Sequence, residues 1–175
     1  MNTRLIRTPC IYLVGFMGCG KTTVGGLLAE DLGWDFVDLD AEIERGAGQT
    51  IPEIFEAGGE CEFRRLEHEA LRARVRAVQT GHATVLSLGG GAFAQENNLA
   101  LVTDNGISVW LDAPFELIRE RITGETHRPL ARDPARFAGL YESRRPTYGR
   151  ADYRVEIGSN DPVEAVEAIL ALPLF

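Results

Sequence analysis

Short apolar runs that alternate with longer helical patterns predict an α/β fold on a mostly parallel sheet, and a glycine-rich phosphate loop after the first run narrows this to a P-loop domain. A chain of 175 residues has the length of one such domain. Its composition, 45% hydrophobic and 25% charged, excludes disordered, collagen-like and disulfide-scaffold classes.

Five strands are expected, over residues 11–14, 36–38, 84–88, 107–111 and 153–157; several are continuous apolar runs, as in strands covered on both faces. Helices are expected over 21–32, 40–45, 52–57, 61–79, 114–123, 136–145 and 162–170. Thr50-Ile51-Pro52-Glu53 matches a capping box with proline in the first turn, Gly33 and Gly81 stand at helix stops, and Asp161-Pro162 reads as a cap followed by proline. No repeat, linker or low-complexity tract divides the chain, so one domain over 1–175 is expected. Residues 124–133 are polar and carry Gly124, Arg128, Pro129, Arg132 and Asp133; they read as a surface loop or as a lid over a nucleotide site.

Charge and cysteine usage remove further classes. The 18 basic residues against 26 acidic ones give −8, with a pI of about 4.9, which argues against nucleic-acid and anionic-membrane partners. Cys10, Cys19 and Cys61 are odd in number and form no C-x-x-C pair, so a reducing cytoplasm is expected and a thiolate zinc site is not. Arg4, Arg7 and the apolar run after them could pass for a signal peptide, but that run leads straight into Gly20-Lys21-Thr22, and we read it as a buried strand and its loop. No apolar stretch approaches the ~20 residues of a membrane span.

Gly15-Phe16-Met17-Gly18-Cys19-Gly20-Lys21-Thr22 fits G-x-x-x-x-G-K-[ST] between a strand and a helix. Glycines let backbone N–H groups wrap a phosphate, the helix N-terminus adds positive charge, Lys21 reaches the terminal phosphates and Thr22 offers a hydroxyl to Mg²⁺. Lys21 is the only lysine beside 17 arginines, and it stands where a compact ammonium suits the space between phosphate oxygens better than a planar guanidinium. The short chain and the lack of an N-K-x-D guanine motif favour a small-molecule phosphotransferase.

Acceptor-side candidates follow at the carboxyl ends of the strands, where this fold class places ligands. In Asp38-Leu39-Asp40, two carboxylates two residues apart on an extended stretch share a face, one near the metal and one near an acceptor hydroxyl. A helix cap for Asp40 and a solvated charge for Asp38 are equally open readings. Within Glu62-Phe63-Arg64-Arg65-Leu66-Glu67, Arg64 and Glu67 share a helix face, so the acid can steady a guanidinium offered to a carboxylate; a plain salt bridge is the simpler reading. Gly89-Gly90-Gly91 after the third strand exposes backbone to close approach by a ligand. Asp112-Ala113-Pro114 reads as a helix cap rather than a metal-holding aspartate.

The phosphate loop, Asp38-Leu39-Asp40, Glu62 to Glu67, Gly89-Gly90-Gly91, Arg128-Pro129-Leu130 and Arg144-Arg145-Pro146-Thr147-Tyr148 stand in an order that resembles the shikimate kinase family, from residue 11 to about 162. The resemblance implies a P-loop kinase with a five-stranded parallel sheet of order 2-3-1-4-5 flanked by helices, similar to nucleoside monophosphate kinases and closed by a lid at about 124–133. It implies Mg²⁺-dependent transfer of the γ-phosphoryl of ATP to the 3-hydroxyl of shikimate, in aromatic amino-acid biosynthesis. Carried over, Gly18, Cys19, Gly20, Lys21, Thr22 and Thr23 would hold the nucleotide phosphates, with Arg121 and Pro162 flanking the adenine. Lys21 and Arg128 would neutralise the moving phosphate, Thr22 and Asp38 would serve the metal, and Asp40 would be the general base. Within an acceptor region of about 38–67 and beyond, Asp40, Arg64, Glu67, Gly89, Gly90, Gly91 and Arg144 would bind shikimate. ATP/ADP and shikimate are then the partners, and a cytoplasmic monomer is expected. The family pattern is departed from at Asn160, where some members carry arginine near the adenine.

Another small-acceptor kinase of this fold, for gluconate or a nucleoside monophosphate, remains open on the loop alone; Arg64 with Arg144 points instead to a carboxylate acceptor. A nucleotide-binding regulator without transferase activity is the other alternative, and the presence of Asp40, Arg64 and Arg128 argues against it. Cys19, at a helix N-terminus beside Lys21, raises the further reading of an alkylation-sensitive thiol that ATP protects; a small residue that simply fits is the plainer one.

Overall fold

A computed structural model of the chain describes residues 10–123 and 133–174. Strand β1 (Cys10–Val14) is buried at every position and lies at the centre of a five-stranded sheet of order β2-β3-β1-β4-β5. The other strands are β2 (Asp35–Asp38), β3 (Thr84–Ser87), β4 (Ile107–Asp112) and β5 (Tyr153–Glu156), and every pairing is parallel. Leu13 stands beside Ser87 on one side and Val109 on the other, so β2 and β3 end level with Leu13 while β4 and β5 run on past the end of β1, with all five carboxyl ends on the same side of the sheet. The apolar runs of β1, β3 and β4 fall on the interior positions, whereas β2 and β5, the edge strands, are partly exposed.

Helices return the chain between strands. Helix α1 (Lys21–Leu32) starts at Gly20 and stops at Gly33, and both glycines have the positive φ that such a start and stop use. Helix α2 (Leu39–Ala47) follows β2 without a loop, so Asp38 is its cap. Helix α3 (Ile51–Gln79) carries the expected capping box at Thr50 and Glu53 and is two helical segments joined across Gly59 (φ 72°, ψ −172°). The two helices expected at 52–57 and 61–79 are these segments. Helices α5 (Phe115–Thr123), α6 (Pro134–Tyr148) and α7 (Pro162–Leu170) complete the expected set, with Asp161 capping α7 as read from the sequence.

Two expectations are corrected. A 3₁₀ turn (Ala92–Ala94) and helix α4 (Glu96–Asn105) fill a stretch for which no helix was expected; the inward positions of α4 are Asn98, Leu99 and Val102, so a polar residue breaks the apolar repeat. Asp112 does not cap α5. It ends β4 almost fully buried, and its carboxylate receives Arg145 Nη1 at 2.6 Å and Arg154 Nη2 at 2.6 Å. Both guanidinium groups also lie against the Trp110 ring, each about 5.1 Å from its centre. Local spelling suggested a cap, but two arginines distant in sequence take the carboxylate. Among the described residues no helix is long and apolar enough to cross a membrane.

Candidate active site

The loop after β1 is shaped by its glycines. Gly15 must lack a side chain, because a Cβ there would lie 2.8 Å from the Leu111 carbonyl oxygen and 2.9 Å from Cys19 Sγ. Lys21, first residue of α1, folds its ammonium back over the loop and donates to the carbonyls of Gly15 (2.8 Å) and Phe16 (3.2 Å). Next to it, Thr22 Oγ1 donates to Asp38 Oδ2 at 3.0 Å, while Asp38 Oδ1 accepts the Ala41 N–H at 3.2 Å. Asp38 is thus both the helix cap and the partner of the loop hydroxyl. The two aspartates do not share an extended stretch, as the sequence suggested: Asp38 ends β2 and Asp40 lies in the first turn of α2. The Thr22 hydroxyl and the Asp38 carboxylate are hard oxygen donors side by side at the phosphate loop, which fits a magnesium ion that draws its other ligands from phosphates and water.

The glycine turn after β3 gathers the acceptor-side residues. A Cβ on Gly89 would fall 2.7 Å from Asp40 Oδ1, and one on Gly91 would fall 2.5 Å from Arg64 Nη2. A side chain at either position would have to push aside the tip of a charged group of the site: the bare turn admits a carboxylate on one side and a guanidinium on the other. The Gly90 carbonyl accepts the Tyr148 hydroxyl at 2.7 Å, and Arg64 Nη1 is held by Glu67 Oε1 at 2.7 Å. Burial raises the Asp40 carboxyl above the ordinary aspartate range, and the neighbouring Asp38 charge adds to this while Lys21 and Arg64 oppose it. Glu67, 1% exposed, is likewise raised by burial, against the pull of Arg64 and of Arg144 from α6. Asp40 Oδ1, Arg64 Nε and Glu67 Oε2 are buried without a hydrogen-bond partner, so this end of the site offers polar atoms to a polar ligand.

At the other end, Arg121 Nη1 donates to the Gly18 carbonyl (2.9 Å), Nε to Asn160 Oδ1 (3.0 Å) and Nη2 to the Ser159 carbonyl (3.3 Å). The arginine thereby ties the phosphate loop to the turn before Pro162, and Asn160 is its partner. A cleft of about 630 Å³ joins both ends and is bordered by Gly18, Gly20, Lys21, Thr22, Thr23, Asp38, Asp40, Gly89, Gly90, Arg121 and Pro162. Arg64, Glu67 and Gly91 stand beside its acceptor end, and Arg144 is close enough to influence both Glu67 and Tyr148.

The chain matches the shikimate kinase family over residues 17–172. It belongs to the shikimate kinase family. A shikimate kinase of Persephonella marina is 42% identical over 161 residues, covering 91% of this chain and 96% of the relative. One from Parasynechococcus marenigrum is 45% identical over 166 residues, covering 93% and 84%. A solved shikimate kinase from Acinetobacter baumannii in complex with shikimate is 41% identical and superposes with a TM-score of 0.83, covering 93% of this chain and 90% of that one. The strand order expected from the resemblance to shikimate kinases is the one observed.

Arg128 and nearly all of the lid at 124–133 lie outside the described residues. Cys19 belongs to the phosphate loop, but it is 1% exposed and its Sγ packs toward Gly15 and Lys21. The fold therefore supports the plainer reading of a small residue that fits, over an accessible, alkylation-sensitive thiol. Tyr148 was not singled out from the sequence, although it stands four residues after Arg144 and so on the same helix face. Asn98 and His68 were also missed, since no local motif marks them.

Proposed function

We propose that this chain transfers the γ-phosphoryl group of ATP to the 3-hydroxyl of shikimate, giving ADP and shikimate 3-phosphate, as one catalytic domain. The observation that carries the reading is the glycine turn, which sets a candidate base, Asp40, and a carboxylate-binding guanidinium, Arg64, on its two sides at the end of a phosphate-loop cleft. Arg64 and Arg144 pair with the shikimate carboxylate, and Glu67 holds Arg64 in the orientation that presents its fork. The turn Gly89 to Gly91 offers backbone against the acceptor ring. Asp40 receives the proton of the attacking hydroxyl, and its burial makes it a stronger base than a solvated aspartate.

Gly18 to Thr23 wrap the ATP phosphates, Lys21 moves its ammonium from the loop carbonyls to the terminal phosphate oxygens, and Arg121 with Pro162 borders the adenine. Thr22 and Asp38 would hold magnesium. Magnesium, when bound, neutralises charge on the β- and γ-phosphates. Arg128 is assigned to the same phosphates by the family resemblance. Phosphoryl transfer needs alignment and charge neutralisation more than covalent help, and these residues supply both. The protein works as a cytoplasmic enzyme, and a monomer suffices because the proposed residues come from one chain.

The test is ADP release with Mg·ATP against shikimate, quinate, gluconate and AMP. Release with shikimate well above the other acceptors is expected. Equal release with all four, or none with shikimate, would overturn the proposal.

A further inference from the structure

We propose that His68 and Asn98 form a positioning relay that fixes the glycine turn relative to Arg64, so that both residues determine shikimate affinity without bordering the cleft; this rests on the shikimate kinase reading above. Asn98, on α4, is 0% exposed although it is polar. Its Nδ2 donates to the Ala92 carbonyl at 3.1 Å, and its Oδ1 lies 2.8 Å from His68 Nδ1. A carbonyl can only accept, which orients the Asn98 amide; the oxygen left facing His68 can only accept too, so His68 Nδ1 carries a proton.

The two ends of the relay are parts of the acceptor site. His68 is one turn after Arg64 and adjacent to Glu67 on α3, the helix segment that presents both. Ala92 closes the glycine turn, since its N–H donates to the Gly89 carbonyl at 3.0 Å. The relay therefore links the helix carrying the guanidinium to the turn that the guanidinium packs against at Gly91. Tyr148 anchors the same turn from α6 through the Gly90 carbonyl. The Ala92 carbonyl also accepts the Gln95 N–H at 3.2 Å, so breaking the relay loosens the turn without undoing it. The loss should fall on acceptor binding, not on folding or on ATP.

The experiment compares wild type, His68→Ala and His68→Asn, the last keeping a donor at the δ position, by steady-state kinetics in both substrates and by calorimetric titration with shikimate. Folding is checked by circular dichroism. For His68→Ala, a shikimate KM and Kd raised about tenfold is expected, with the ATP KM within about twofold of wild type and His68→Asn within about threefold in all. Asn98→Asp, which faces a second acceptor toward Ala92, should reproduce the Ala effect. Unchanged shikimate binding in folded His68→Ala, equal rises in both KM values, or no rescue by Asn would overturn the relay while leaving the proposed function intact. Absence of shikimate turnover in the wild type would overturn both.

Discussion

Asp40 is placed where its chemistry and its stability conflict. Burial and the Asp38 charge raise its carboxyl above the value it has in the unfolded chain. A group raised in this way stabilises the fold below its unfolded pKa, and that contribution disappears as pH rises through its folded pKa. At neutral pH, above the ordinary aspartate range, the raised carboxyl is thus a cost to the ligand-free fold. Asp40→Asn should melt about 2–4 °C higher near pH 7, with the gain vanishing in acid, and should lose about 10²–10⁴ of kcat; a thermal scan and initial rates check both. In the wild type the acid limb of kcat/KM should lie above the range of an ordinary aspartate. Arg64→Ala should raise the shikimate KM about 10- to 100-fold and leave the ATP KM within about twofold, since among the described residues it meets Glu60, Glu67, the Phe63 ring and the glycine turn at the acceptor end. The opposite split would place the arginine in the nucleotide site.

Helix α3 shows how one residue orients an element. Gly59 combines φ 72° with ψ −172°, a region that side-chain-bearing residues scarcely enter, although a Cβ there would meet no atom within 4 Å. Its requirement is one of backbone conformation alone. Gly59→Ala should lower unfolding free energy by about 1–3 kcal/mol, measured in urea, and should weaken acceptor binding because the segment beyond the kink carries Arg64 and Glu67. The gap between the two predicted helical segments contains Gly58 and Gly59, so this break is legible in the sequence. Helix α4 was not, because Asn98 occupies an inward position and satisfies itself through His68 and Ala92, partners that no local pattern identifies.

On the scale of the molecule, the phosphate loop, the aspartates, the arginine helix and the glycine turn were legible because each is spelled in consecutive residues and the parallel sheet delivers all of them to one edge. What could not be read depends on pairings across long stretches of chain: Arg121 with Asn160, and Asp112 with Arg145 and Arg154. The last cluster joins β4, α6 and β5. Asp112 is nearly buried whereas the arginine side chains are 29% and 50% exposed, so the two ways of breaking it are unequal. Asp112→Asn should cost about 1–2 kcal/mol, since solvent reaches both guanidinium groups, while Arg145→Met with Arg154→Met leaves a buried carboxylate alone and should cost about 3–5 kcal/mol. Equal losses in chemical denaturation would contradict that asymmetry. The ammonium resting on the Gly15 and Phe16 carbonyls has a practical consequence as well. A protein whose sole ε-amine is Lys21, labelled with ¹⁵N-lysine, carries a single side-chain ammonium resonance, and that resonance reports from inside the phosphate loop without any background to subtract.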